Sequence, residues 1–160
     1  MNRPNTLQDV VEAWTFDRES YRIAIAGFLD SFYMNSERRQ SMIDPEPELT
    51  RDAYTDAWLG AAAEHLARRW NLVIPDWTQH PGRFLHAPHF ATSIESLKAL
   101  LLAQSPLAFR KRMIFVEHEP LRRARMPQTG IAGAGAAIAP RPASASREGA
   151  SRYRFPPSAV

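Results

Sequence analysis

The chain has no cysteine in 160 residues. That excludes disulfides, a thiol nucleophile and any zinc site built on thiolates. It has no run of about 18 apolar residues, so no membrane-spanning helix is expected. The N-terminus, MNRPNTLQDVVEAW, lacks the basic start and apolar run of a secretory signal. Together these point to a cytoplasmic protein. No G-x-S-x-G or H-E-x-x-H motif occurs, which removes the commonest signatures of a serine hydrolase and a zinc protease. Glycine is scarce at 7 residues, and three of these, Gly130, Gly133 and Gly135, fall in low-complexity sequence. No predicted strand precedes them, so they do not make a dinucleotide loop.

What remains is ordinary globular composition, with 44% hydrophobic residues, enough to form a core over a length that suits one domain. Charge is unevenly placed. Residues 1–107 carry 10 Lys+Arg against 14 Asp+Glu, whereas residues 108–160 carry 10 against 3. The first part is acidic and the last third basic.

Helical periodicity dominates residues 5–70. Leu7, Val10, Val11 and Trp14 fall on one stripe, with Asn5 or Thr6 as the cap. A second helix is expected over 17–34, burying Tyr21, Ile25, Phe28, Leu29 and Phe32, with Gly27 admitting a close neighbour. Residues 37–43 continue for two turns until Pro45 and Pro47 break the pattern. Thr50 is placed to cap a third long helix, 51–70, and Asn71 to end it in a left-handed conformation.

Residues 72–92 form a long, proline-broken stretch whose aromatics Trp77, Phe84 and Phe90 imply that it packs on the helices. Thr92-Ser93-Ile94-Glu95 matches a capping box for a helix through Gln104. Ile94, Leu97, Ala99, Leu100, Leu101 and Leu102 are apolar nearly all round, so this helix is expected at the centre. Pro106 opens a short helix, and Ile114-Phe115-Val116 reads as extended. The fold expected is all-α: about five helices in a small bundle over 1–125, a long packed aromatic loop, and a disordered Ala/Gly/Ser/Pro-rich tail over 126–160.

Three sets of residues invite chemistry. His80, His86 and His89, with Asp76 nearby, raise a histidine-dependent metal enzyme, but their spacing matches no metal motif and loop histidines on a helical scaffold are the simpler explanation. Glu117-His118-Glu119 has the composition of a polarised general base but no nucleophile beside it. Arg110, Lys111 and Arg112, then Arg122, Arg123 and Arg125, form a basic cluster suited to a contact surface. With Arg141, Arg147, Arg152 and Arg154 of the tail it would contact phosphates, and Tyr153 and Phe155 would stack on bases. An acidic protein partner suits the same cluster. No catalytic residue, cofactor or metal ligand set is expected.

The segments I74-P-D-W-T, R83-F-L, F90-A, S93-I-E-S-L-K-A-L-L-L-A-Q-S-P and F109-R-K-R-M-I-F-V resemble a small bacterial family, largely uncharacterised. Its members carry the pattern P-x-W…F…L-x-x-L…S-P-x-x-F-R-x-R-x-I-F-V. The likeness spans roughly residues 20–125 and is similar to the region after the helix-turn-helix of some actinobacterial transcriptional regulators, in gene settings like toxin–antitoxin pairs. It implies no catalytic residues. It implies a non-enzymatic protein-interaction module, antitoxin-like or regulatory, whose partner is another protein. The alternative is a nucleic-acid-binding accessory protein using the basic third.

Overall fold

Residues 3–14 and 18–127 are described by a computed structural model. Residues 128–160 of the expected tail, with its arginines and Gly130, Gly133 and Gly135, lie outside these residues, as does Asp17. The described part is mostly helical. Six α-helices run in chain order: α1 (Leu7–Ala13), α2 (Arg18–Met34), α3 (Arg39–Ile43), α4 (Ala53–Arg69), α5 (Glu95–Gln104) and α6 (Leu107–Arg110). The all-α expectation needs one amendment. Two two-residue strands, β1 (His89–Phe90) and β2 (Ile114–Phe115), pair in parallel, His89 opposite Ile114 and Phe90 opposite Phe115.

Local chemistry sets the helix ends. Thr6 and Asp9 form a reciprocal capping box at the start of α1. Asp52 caps α4 by accepting the Thr55 N–H, while the Thr50 hydroxyl accepts the Asp52 N–H one step earlier, so the expected cap lies two residues upstream of the real one. Asn71 ends α4 at φ 54, the left-handed conformation expected of it. At α5 no side chain caps the helix; Thr92 accepts only the Ile94 N–H.

The centre of the fold is α4, not α5. Ala57, Leu59, Gly60, Ala61, Ala62, Ala63, Leu66 and Ala67 are all buried, and α4 touches α3, α6 and the short 3₁₀ turns at 76–79 and 81–83. A helix with small side chains on every side can be enclosed on every side. Helix α2 lays Phe28, Leu29, Phe32 and Tyr33 into the same core, each large side chain contributing ~2 kcal/mol of burial. In α5 only Leu101 is buried. Leu72-Val73-Ile74 forms no strand. Gln40 instead holds Val73 through both its backbone groups, at 2.9 and 3.1 Å. The aromatic stretch does pack down: Trp77 is buried and its indole N–H donates to the Ile43 carbonyl. The packed body also extends past residue 125, because Met126 packs against the core.

Candidate functional site

The basic turn after α6 is built differently from a solvated contact face. Its chain reverses through Arg112 N–H to Phe109 carbonyl and Met113 N–H to Arg110 carbonyl, and Met113 takes φ 62. That conformation strains a side chain with a Cβ by roughly 1–2 kcal/mol. It turns Arg112 inward, where its side chain is 0% exposed. The Arg112 guanidinium donates to Glu64 (2.8 Å), Ala108 O (2.8 Å) and Thr78 O (2.5 Å) and lies over the Phe84 ring. Arg112 therefore has no surface to offer a partner. Its separation in sequence from Glu64, 48 residues, hides the pairing from any local reading.

Glu64 is also 0% exposed and gathers three cations. Lys111 Nζ lies at 2.6 Å, Arg68 at 2.9 Å and Arg112 at 2.8 Å. Burial pushes the carboxyl up, but hydrogen bonds from Lys111, Arg112 and Arg68 outweigh it and bring the pKa down to about 2. A second buried arginine lies alongside. Arg83 is 3.5 Å from Asp56, donates to the Pro47 carbonyl and lies over the Trp77 ring. Asp56 accepts the Thr50 N–H at 2.8 Å; burial pushes its carboxyl up. Gly60 makes room for both arginines. A Cβ there would stand 3.0 Å from Arg112 Nε and 3.1 Å from Arg83 Cβ. The glycine needed for close approach is thus Gly60. At Gly27 a Cβ would meet Pro4 only at ordinary contact distance.

The remaining motif residues have structural tasks as well. The Ser105 hydroxyl accepts the Val116 N–H at 2.9 Å and joins the α5–α6 corner to β2. Phe109 is buried, edge-on to Trp58 and to His65. Ile114, Phe115 and Val116 are buried. The S-P-x-x-F-R-x-R-x-I-F-V segment is accordingly a folding device: a corner, an inward arginine and a buried strand.

Of the six basic residues expected at a contact surface, Arg110, Arg122, Arg123 and Arg125 are exposed. Lys111 is held by Glu64, and Arg123 makes two hydrogen bonds to Asp30 at 3.1 Å. The histidines do not converge. His80 accepts the Gly82 N–H, His89 lies tilted against Tyr54 with ring centres 4.1 Å apart, and His86 is exposed. Among the described residues no three His, Cys, Asp or Glu side chains are grouped to hold a metal. Glu119 is bonded to Arg69 at 2.9 Å rather than to His118.

Two surface features were not legible beforehand. Helix α5 exposes Ile94 (54%), Leu97 (41%), Leu100 (54%) and Leu102 (45%), and Leu107 follows at 52%. A groove of about 1280 Å³ lies between α2 and residues 89–93, with Pro120, Arg122 and Arg123 also in its lining. Tyr21, Tyr54 and Trp58 line it, Tyr21 edge-on to Trp58 at 5.9 Å. The buried Tyr21 hydroxyl has no hydrogen-bond partner among the described residues, and burial pushes its pKa well up.

Comparison with protein-family models, with curated proteins and with solved structures gave no match. The geometry has to carry the functional reading. No described helix is long and apolar enough to cross a membrane.

Proposed function

We propose that the protein is a non-enzymatic protein-interaction module that binds a different protein chain through α5. The supporting observation is the aliphatic surface of that helix. Leu101 alone anchors it, while Ile94, Leu97, Leu100 and Leu102 face solvent. Leu97 and Leu100 lie one turn apart on one side of the buried Leu101, and exposed apolar surface of this kind marks interaction sites.

The area argues for a second protein rather than a second copy. The five half-exposed aliphatics offer on the order of 400 Å², about half of the ~800 Å² each partner gives to a standard interface. Two copies meeting through α5 alone would bury on the order of 800 Å² between them, below the ~1,200 Å² at the low end of a standard interface, so they fall short. A partner that covers α5 and continues onto the adjoining surface does not. Within this reading, the sequence likeness supports an antitoxin-like or regulatory member of a bacterial two-gene system acting in the cytoplasm.

The test is copurification from the native host with its gene neighbours co-expressed. A discrete partner in equimolar amount is expected with the wild-type chain and is lost with Leu97→Asp/Leu100→Asp, whose melting temperature stays unchanged. Recovery of the wild-type chain only as a lone monomer overturns the reading.

A further inference from the structure

Among the described residues, strand β1 uses one of its edges. His89 N–H donates to the Met113 carbonyl at 2.8 Å and Ala91 N–H to the Phe115 carbonyl at 2.9 Å. In a parallel ladder the bonded residues alternate, so the N–H and C=O of Phe90 point away from β2. Residues 89–93 line the groove, whereas none of Ile114, Phe115 and Val116 does. Strand β1 therefore forms part of the groove's wall. The open edge of a sheet is a template for a further strand.

The size and charge of the groove narrow the occupant. At about 1280 Å³ it exceeds the ~300–1,000 Å³ of typical small-molecule sites. Its lining carries Arg18, Arg22, Arg122 and Arg123 against Glu19 and Asp52. Arg123 is already engaged by Asp30, but Arg18, Arg22 and Arg122 are exposed, and the contacts of Arg22 with Glu19 (3.8 Å) and of Arg122 with Glu119 (3.9 Å) are long and solvated. Below this basic rim the surface is aromatic. The chain's own C-terminal residues are the wrong sign for such a groove, with Arg141, Arg147, Arg152 and Arg154 against the single Glu148.

We infer that this groove receives an extended segment of the partner protein, rich in Asp and Glu with interspersed apolar side chains, which adds as a strand to the free edge of β1. This rests on the interaction-module reading and extends the contact from α5 along the chain through Ile94, Ser93 and Thr92 into the groove. The segment's backbone meets the Phe90 N–H and C=O, its carboxylates meet Arg18, Arg22 and Arg122, and its apolar side chains rest on Tyr21, Tyr54 and Trp58.

The probe is a displayed library of ten-residue linear peptides, selected against the full chain. Enrichment of acidic sequences is expected, with binding that weakens as salt is raised. Arg22→Glu/Arg122→Glu should weaken the selected peptides about tenfold. Phe90→Pro removes the free edge donor without touching a bond to β2, and Phe90→Ala controls for the lost ring. The proline variant should bind at least several-fold more weakly than the alanine one. Enrichment of basic or purely apolar peptides, no enrichment, or equal affinity of the two Phe90 variants overturns the inference. If the native partner copurifies undiminished with Arg22→Glu/Arg122→Glu but is lost with Leu97→Asp/Leu100→Asp, the groove assignment falls while the interaction module stands.

Discussion

Replacing Glu64 by Leu should be among the most damaging single substitutions in this protein. Glu64 is the counter-charge for a guanidinium that has no access to water, since Glu64 and Arg112 are both 0% exposed. Removing one partner of such a pair leaves an uncompensated buried charge, at about 3–5 kcal/mol. The depressed carboxyl gives a second route to the same size. Its pKa of about 2, against an ordinary 4.5, corresponds to ~3 kcal/mol favouring the charged, bonded form. For a folded body of this size that lowers the melting temperature by on the order of 15 °C. Arg112→Leu should cost less. Glu64 then keeps Lys111 and Arg68, whose side chains reach solvent, and the main loss is the donor to the Thr78 carbonyl, ~1–3 kcal/mol. Glu64→Leu/Arg112→Leu should cost clearly less than the two single changes added together, because neither charge is then stranded. Urea unfolding followed by tryptophan fluorescence, over the full double-mutant cycle, measures all three. The reasoning is refuted if Glu64→Leu costs under ~1 kcal/mol, or if the double variant is simply additive. The linkage has a definite sign. The folded pKa of Glu64 is depressed, so its stabilisation is present above about pH 5 and is lost as pH falls through about 2.

Gly60→Ala should destabilise by about 1–2 kcal/mol, although the same change in an exposed helix stabilises by up to ~1 kcal/mol, because the new Cβ meets Arg112 Nε at 3.0 Å and Arg83 Cβ at 3.1 Å; a gain in melting temperature would show that the arginines yield freely. His65 gives a pH effect in a different window. Burial, aided by Arg69, pulls its pKa from 6.5 down to about 4, so the unfolded chain takes up a proton that the folded one refuses. Stability is complete above about pH 7 and falls by ~3 kcal/mol as pH drops to 4. Thermal melts at pH 7 and 4.5 should show this loss in the wild type and a smaller one in His65→Leu.

Much of the framework was readable from local pattern. The stripes of α1 and α2, the ends supplied by Thr6 and Asn71, the proline break at 45–47, and the extended Ile114–Val116 are effects of residues within one or two turns of each other. The rank order of burial was not readable. Helix α5 has the more hydrophobic sequence and lies outside. Helix α4 carries Asp56, Glu64, His65, Arg68 and Arg69 and lies at the centre, because its buried acids meet arginines 27 and 48 residues away. Periodicity counts apolar residues; it cannot see a charge neutralised by a distant partner. The burial of Arg112 within the basic run was not legible for the same reason, since whether Arg112 points out or in depends on the left-handed turn at Met113 and on the space over Gly60.

By itself the amino-acid sequence determined a mostly helical chain without thiol chemistry, with its helix breaks and the ends at Thr6 and Asn71, because these follow from covalent geometry, side-chain size and neighbours close in the chain. Tertiary structure alone decided which helix is enclosed and which apolar face is left uncovered. It also decided which of the described arginines remain outside and which residues of β1 line the groove. Those outcomes depend on groups brought together from α2, α4, β1 and the turn after α6, and no spacing along the chain records their meeting.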